Sequence, residues 1–157
     1  MVRRKRISRK AQSVAVSTET RLNEERKKHF LGCAKIDLKH LNFSQSSARE
    51  LDDENIQRLL SAFKLTGCLR LDTQYHVPAI IDAHFLSQMV REGGASLDDI
   101  RSHEPSRWPA LKLPEGSEIE CLHGQHRLVA AREYLLPRDQ WWVIDLYSTG
   151  GSCRSFS

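Results

Sequence analysis

The chain has 157 residues, of which 39% are hydrophobic and 28% charged, enough for one compact domain with tails. No apolar run approaches the ~18 residues that a membrane-spanning helix needs, so the sequence offers no candidate span. The net charge of +4 belongs to a tail: residues 1–18 hold Arg3, Arg4, Lys5, Arg6, Arg9 and Lys10 and no acid. The 24 Lys and Arg less these six leave 18 basic against 20 acidic residues, a formal −2, which argues against a basic nucleic-acid face on the domain itself.

Residues 1–18 read as a basic disordered arm. The Arg3-Arg4-Lys5-Arg6 cluster also fits a nuclear localisation signal, and the Arg- and Ser-rich, acid-poor composition fits a mitochondrial presequence. Nucleic acid is a partner only through this arm. The four cysteines (Cys33, Cys68, Cys121, Cys153) show neither C-x-x-C spacing nor disulfide-framework density, which suits a reducing nuclear or cytoplasmic setting.

Arg21 to Phe30 predicts a short, charged helix stopped by Gly32. Cys33 to Leu41 alternates as a strand through Ile36 and Leu38, and Asn42 to Ala48 reads as a loop. Asp52 caps the clearest helix, with Asp53 and Glu54 favourable against its dipole and Gly67 as its stop. Ile56, Leu59, Leu60 and Phe63 fall at i, i+3, i+4 and i+7, which is one buried stripe. Val77 to Ile81 predicts a short buried strand, and Asp82 caps a second helix ended by Gly93-Gly94. Residues 92–116 show no period and contain Pro105, Pro109 and Pro114, so they read as an insertion or a lid. Trp141 to Tyr147 is an aromatic and β-branched strand, and residues 148–157 form a low-complexity, disordered tail.

Between these lies the sharpest signal, Glu118-Ile119-Glu120-Cys121-Leu122-His123-Gly124-Gln125-His126-Arg127, a strand, a one-glycine turn and a helix start. A helix start leaves backbone N–H groups unpaired and carries partial positive charge. Glycine lets an anion approach that backbone, and His126 and Arg127 add charge, so the turn predicts a phosphate or anion site. The plain alternative is a tight turn whose basic residues face water. Cys121-x-His123-x-x-His126 also offers three borderline ligands for zinc, at a spacing that matches no usual signature. Cys121 is a nucleophile only with His123 or His126 as its base; a buried core cysteine is the commoner case. The remaining histidines, His29, His40, His76, His84 and His103, are scattered without a pattern.

The order of elements, with Gly-x-His-Arg at the last helix, resembles the ParB/sulfiredoxin-like superfamily over about Lys35 to Tyr147. Within it, Leu51-Asp-Asp-Glu-Asn-Ile-Gln-Arg-Leu-Leu, Glu120-Cys-Leu-His-Gly-Gln-His-Arg and Trp141-Trp-Val-Ile-Asp-Leu-Tyr resemble an uncharacterised fungal family often found in mobile-element cargo. The resemblance implies an α/β fold, a small mixed sheet with three packed helices, over residues 19–147. It also implies a chain cut short, since members of that family continue beyond this last strand. It further implies that Gly124, Gln125, His126 and Arg127, helped by Arg49, bind the phosphates of a nucleotide such as ATP or CTP. Hydrolysis there would also need a metal such as Mg²⁺, for which no carboxylate pair is clearly placed. Gln125 stands where sulfiredoxins carry their catalytic cysteine, and no helix-turn-helix reader follows the domain. Sulfinic acid reduction and DNA sliding therefore do not carry over.

The expectation is a nucleotide- or phosphate-binding domain in which His126 is the acid/base candidate should a reaction occur. Two rivals stand beside it: a metal-dependent phosphotransferase or nuclease on the same site, and a non-catalytic remnant or interaction module. Glu118 and Glu120 are the nearest carboxylates for a metal.

Overall fold

A computed structural model describes residues 28–44 and 50–149. The expected arm, most of the first expected helix, Arg49 and residues 150–157 of the expected tail lie outside the described residues.

Five strands form one mixed sheet: β1 (Phe30–Asp37), β2 (Leu41–Phe43), β3 (Val77–Ile81), β4 (Ile119–Cys121) and β5 (Trp141–Ser148), in the spatial order β1-β5-β3-β4-β2. β3 runs parallel to β5, with Val77 opposite Ile144 and Ile81 opposite Ser148. It runs antiparallel to β4 through Ala79 and Cys121, while β4 runs parallel to β2. Among the described residues, four helices accompany the sheet: α1 (Asp53–Thr66), α2 (Ala83–Glu92), α3 (Leu97–Arg101) and α4 (Gln125–Tyr134). The fold class is mixed α/β.

Local chemistry explains most boundaries. The Asp52 carboxylate accepts the amides of Glu54 and Asn55 at the start of α1, and Gly67 ends that helix at φ +79°. Ile56, Leu60 and Phe63 are buried and Leu59 packs against the core, so the stripe expected at helical spacing faces inward. Asp82 caps α2 through the amide of Phe85.

Three boundaries differ from expectation. The strand expected over Cys33 to Leu41 ends at Asp37, because a 3₁₀ turn at Leu38–His40 carries the chain from one side of the sheet to the other, and Asn42 and Phe43 of the expected loop join Leu41 in β2. The turn is held by His40 Nδ1 at 2.9 Å from the carbonyl of Ser117 and by Arg132, which donates to the carbonyls of Leu38 and Leu41. Gly32 is no helix stop; it lies inside β1, where the backbone of Ile100 leaves no room for a Cβ. Ser148, assigned to the tail, is the last residue of β5.

Residues 92–116 carry a short helix rather than an irregular loop. Ser96 and Asp99 form a reciprocal capping box on α3, five residues long and so too short for its period to show in the sequence. The chain then lies along β1: Lys35 donates to the carbonyl of Pro109 at 2.9 Å and Leu111 donates to that of Lys35 at 3.0 Å. Ile100, Trp108, Leu111 and Leu113 are all buried.

The core divides between the faces of β5, as strand alternation requires. Trp142, Ile144 and Leu146 join the large core with residues of α1 and α4. Val143 joins Cys33 and Trp108 in a smaller cluster, with Trp141 packed against it. The two adjacent tryptophans thus point opposite ways: Trp142 is fully buried, and Trp141 lies under the Arg70 guanidinium, 3.4 Å from the ring centroid.

Candidate functional site

The glycine turn between β4 and α4 forms one wall of a cleft of about 370 Å³ lined by Gln74, His76, His123, Gly124, Gln125, His126 and Arg127. Four of the five expected ligand-binding residues, Gly124, Gln125, His126 and Arg127, therefore share one concavity; the fifth, Arg49, lies outside the described residues.

Gly124 is the N-cap of α4 and adopts the left-handed conformation at φ +96° and ψ +18°. A Cβ here would stand 2.9 Å from Cγ2 of Val77 in β3, so both the conformation and the packing demand glycine. Without a side chain at the cap, the first turn of α4 depends on something other than a cap side chain to complement its amides. Close approach of the turn to β3 sets the helix start directly above the strand's first residue.

Arg127 projects from this turn and is half-buried. It donates through Nη1 to the carbonyl of Tyr75 at 3.3 Å and lies 5.6 Å from the Tyr75 ring centroid. Burial pulls its pKa below the usual guanidinium value, opposed by the neighbouring Tyr75. The same carbonyl accepts Nε1 of Trp142 at 2.9 Å, so the arginine is anchored to the core through one shared oxygen.

His126 is engaged as well. Its Nε2 accepts the backbone N–H of Asp52 at 3.0 Å, tying the start of α4 to the start of α1. An amide N–H only donates, so Nε2 must present its lone pair and the ring proton resides on Nδ1. While this bond stands, the ring offers Nδ1–H as a hydrogen-bond donor and no free lone pair.

Other expected participants lie elsewhere. Cys121 is fully buried in β4, its thiol pushed up to about 12 by burial, against the pull of Arg132; such a thiol is inert as a nucleophile. It does not join His123 and His126 in a metal-binding group. Among the described residues, the group that does so is Cys33, His76 and Asp145, whose donor atoms lie within 4.8 Å of one another. Glu118 accepts from Nδ2 of Asn42 at 2.8 Å, and Glu120 is exposed on β4; neither lines the cleft.

Two histidines without a pattern in the sequence have definite places. His40 and His76 are the buried polar residues of the described core, 3% and 4% exposed. His76 is joined to Asp145 across 69 positions, and Cys33 to Asp145 across 112. Only the sheet order brings them together, so no local spacing signals them. Gln74, in the 3₁₀ turn before β3, was equally silent.

These residues define a mixed α/β domain with a donor-rich cleft at the start of its last helix. The chain belongs to the family described as "Protein of unknown function (DUF3723) N-terminal domain", whose model matches residues 29–155. Comparison with curated proteins and with solved structures returns no match.

Proposed function

We propose that the chain is a nucleotide- or phosphate-binding domain of the ParB/sulfiredoxin-like kind, with the anion seated against the Gly124–Arg127 turn. The observation that carries this reading is the cleft itself: a left-handed glycine packed onto Val77 opens α4, and Arg127, His126, His123 and Gln125 line the same 370 Å³ space. That volume falls within the ~300–1,000 Å³ range of small-ligand sites. Amides at a helix start, the helix dipole and a guanidinium with donors to spare favour the same ligand charge. The Tyr75 carbonyl holds Arg127 at one nitrogen, so less side-chain entropy is lost when a phosphate arrives.

Binding is preferred to turnover. No carboxylate lines the cleft among the described residues, and His126 keeps one ring nitrogen committed to Asp52. The Mg²⁺ of a phosphotransferase or nuclease is held by carboxylates, and none stands among these lining residues.

Calorimetric titration of the full chain with ATP, CTP and GTP, with and without Mg²⁺, tests the reading. One nucleotide should bind below millimolar concentration, and Arg127→Ala should weaken it by roughly tenfold to a hundredfold, the loss of one charged hydrogen-bonding partner at ~1.5–3 kcal/mol. Arg127→Lys should recover only part of that, because a point charge does not replace the fork. A folded protein that binds none of the three below millimolar concentration refutes the proposal.

A further inference from the structure

On the opposite side of β5 from the large core, Cys33, His76 and Asp145 form a compact group, of which His76 alone also lines the anion cleft. Cys33 comes from β1, Asp145 from β5 and His76 from the residue before β3, three strands that are neighbours in the sheet. Cys33 Sγ lies 3.2 Å from Asp145 Oδ1, His76 Nδ1 lies 2.7 Å from the same oxygen, and Sγ and Nδ1 are 3.9 Å apart. Cys33 and His76 are buried, while the Asp145 side chain keeps 26% of its surface exposed.

We infer that this trio is a binding site for one divalent cation of the zinc class, held by Cys33 Sγ, His76 Nδ1 and an Asp145 oxygen. A tetrahedral zinc with bonds of ~2.0–2.3 Å places its ligand atoms ~3.3–3.7 Å apart. The three observed separations bracket that span, so the site forms with shifts of about half an ångström in side chains already converging. A thiolate, an imidazole and a carboxylate together suit a borderline ion better than calcium or magnesium, which take oxygen alone.

The outer contacts fit the same reading. His76 Nε2 lies 3.1 Å from the carbonyl of Leu71, which only accepts, so Nε2 carries a proton and Nδ1 is the nitrogen left for a metal. Trp108 packs its ring against His76 at 4.9 Å and 79°, fixing the imidazole plane. Val143, Trp108 and Trp141 surround Cys33 with apolar surface that excludes water from the thiolate side. The exposed edge of Asp145 leaves the fourth position to water or to an incoming group.

With one divalent ion, thiolate, neutral imidazole and carboxylate sum to zero, so the occupied site places no net charge in the buried interior.

Cobalt titration of the EDTA-treated full chain tests the site. Saturation at one ion per chain is expected, with a thiolate-to-cobalt charge-transfer band and tetrahedral d–d bands, both bleached by zinc. Cys33→Ser should abolish the charge-transfer band, and His76→Gln and Asp145→Asn should each weaken binding at least tenfold. Cys121→Ser, on a thiol in the other core, should leave the spectrum unchanged. Zinc-edge X-ray absorption on the unmutated protein covers the case in which a variant does not fold, and one sulfur at ~2.3 Å is expected. Absence of a charge-transfer band from the folded protein at millimolar cobalt overturns the inference. So does a first shell without sulfur, or a band that survives Cys33→Ser.

Discussion

Gly124→Ala isolates the geometry on which the cleft depends. The methyl group must occupy a left-handed backbone at φ +96°, which costs a residue with a Cβ about 1–2 kcal/mol. It must also enter space 2.9 Å from Cγ2 of Val77, a fully buried residue, and overpacking of that kind costs about 1–3 kcal/mol. The sum is about 2–5 kcal/mol, a large share of the ~5–15 kcal/mol that stabilises a typical domain. Gly94 supplies the control, because it has φ +77° with nothing within 4 Å of an added Cβ. Gly94→Ala should therefore cost only the conformational part, about 1–2 kcal/mol. Urea unfolding followed by tryptophan fluorescence and circular dichroism measures both. Combining Gly124→Ala with Val77→Ala should cost less than the sum of the two single changes, by about the overpacking part. Equal losses at Gly124 and Gly94, or strict additivity with Val77→Ala, would refute the claim that contact with β3 shapes the turn.

Arg70→Lys is expected to destabilise the protein by about 1–2 kcal/mol, because Arg70 Nη2 donates to both oxygens of Asp139 at 2.9 Å while Nη1 donates to the carbonyls of Asp139 and Trp141, and one ammonium does not replace two nitrogens. That figure is reduced for the exposure of Asp139, 44% at the side chain; a loss within measurement error in urea unfolding would refute it. The Asp99 carboxyl is held below its ordinary 3.8 first by the backbone amide of Ser96 and then by Arg107. Its folded pKa is depressed, so its contribution is present above that ordinary value and is lost as the pH falls through the lower folded one. The melting-temperature gap between the wild type and Asp99→Asn should therefore close in acid; a gap that widens there contradicts the assignment. Cys121, with its thiol raised to about 12 by burial, favours the folded state fully below the unfolded-state pKa of ~8.5 and loses that contribution as pH rises toward the folded value. At pH 8 it should resist a disulfide reagent in the native protein and react in urea, as peptide mass mapping would show.

The sequence was most legible where structure is local. Asp52, Asp82 and Gly67 bound their helices as their chemistry requires, and Ile56, Leu60 and Phe63 turn inward at helical spacing. The glycine turn and its basic neighbours were equally visible, since one short segment carries all of them. Elements that depend on distant partners were not. The break between β1 and β2 arises from Arg132 and Ser117, which contact it from 77 or more positions away. Trp108 is buried because α3 and the stretch after it lie along β1, and three prolines concealed that order. His76 looked like one scattered histidine among several; its role comes from Cys33 and Asp145, and their proximity is a property of sheet topology alone.

That topology also sets a timetable for synthesis. Among the described residues β5, the last strand in the chain, lies between β1, the first of them, and β3. Until Trp141 to Ser148 have left the ribosome, β1 has only the short bridge of Lys35 with the 109–111 stretch, and β3 shows an open edge on one side. The nascent chain can form α1 and α2 early, but closure of the sheet must wait for contacts that span more than a hundred residues. Such closure is slow, and the unpaired strands stay open to wrong partners meanwhile. Chaperone dependence during translation, relieved once β5 is released, is the cellular signature this arrangement should leave.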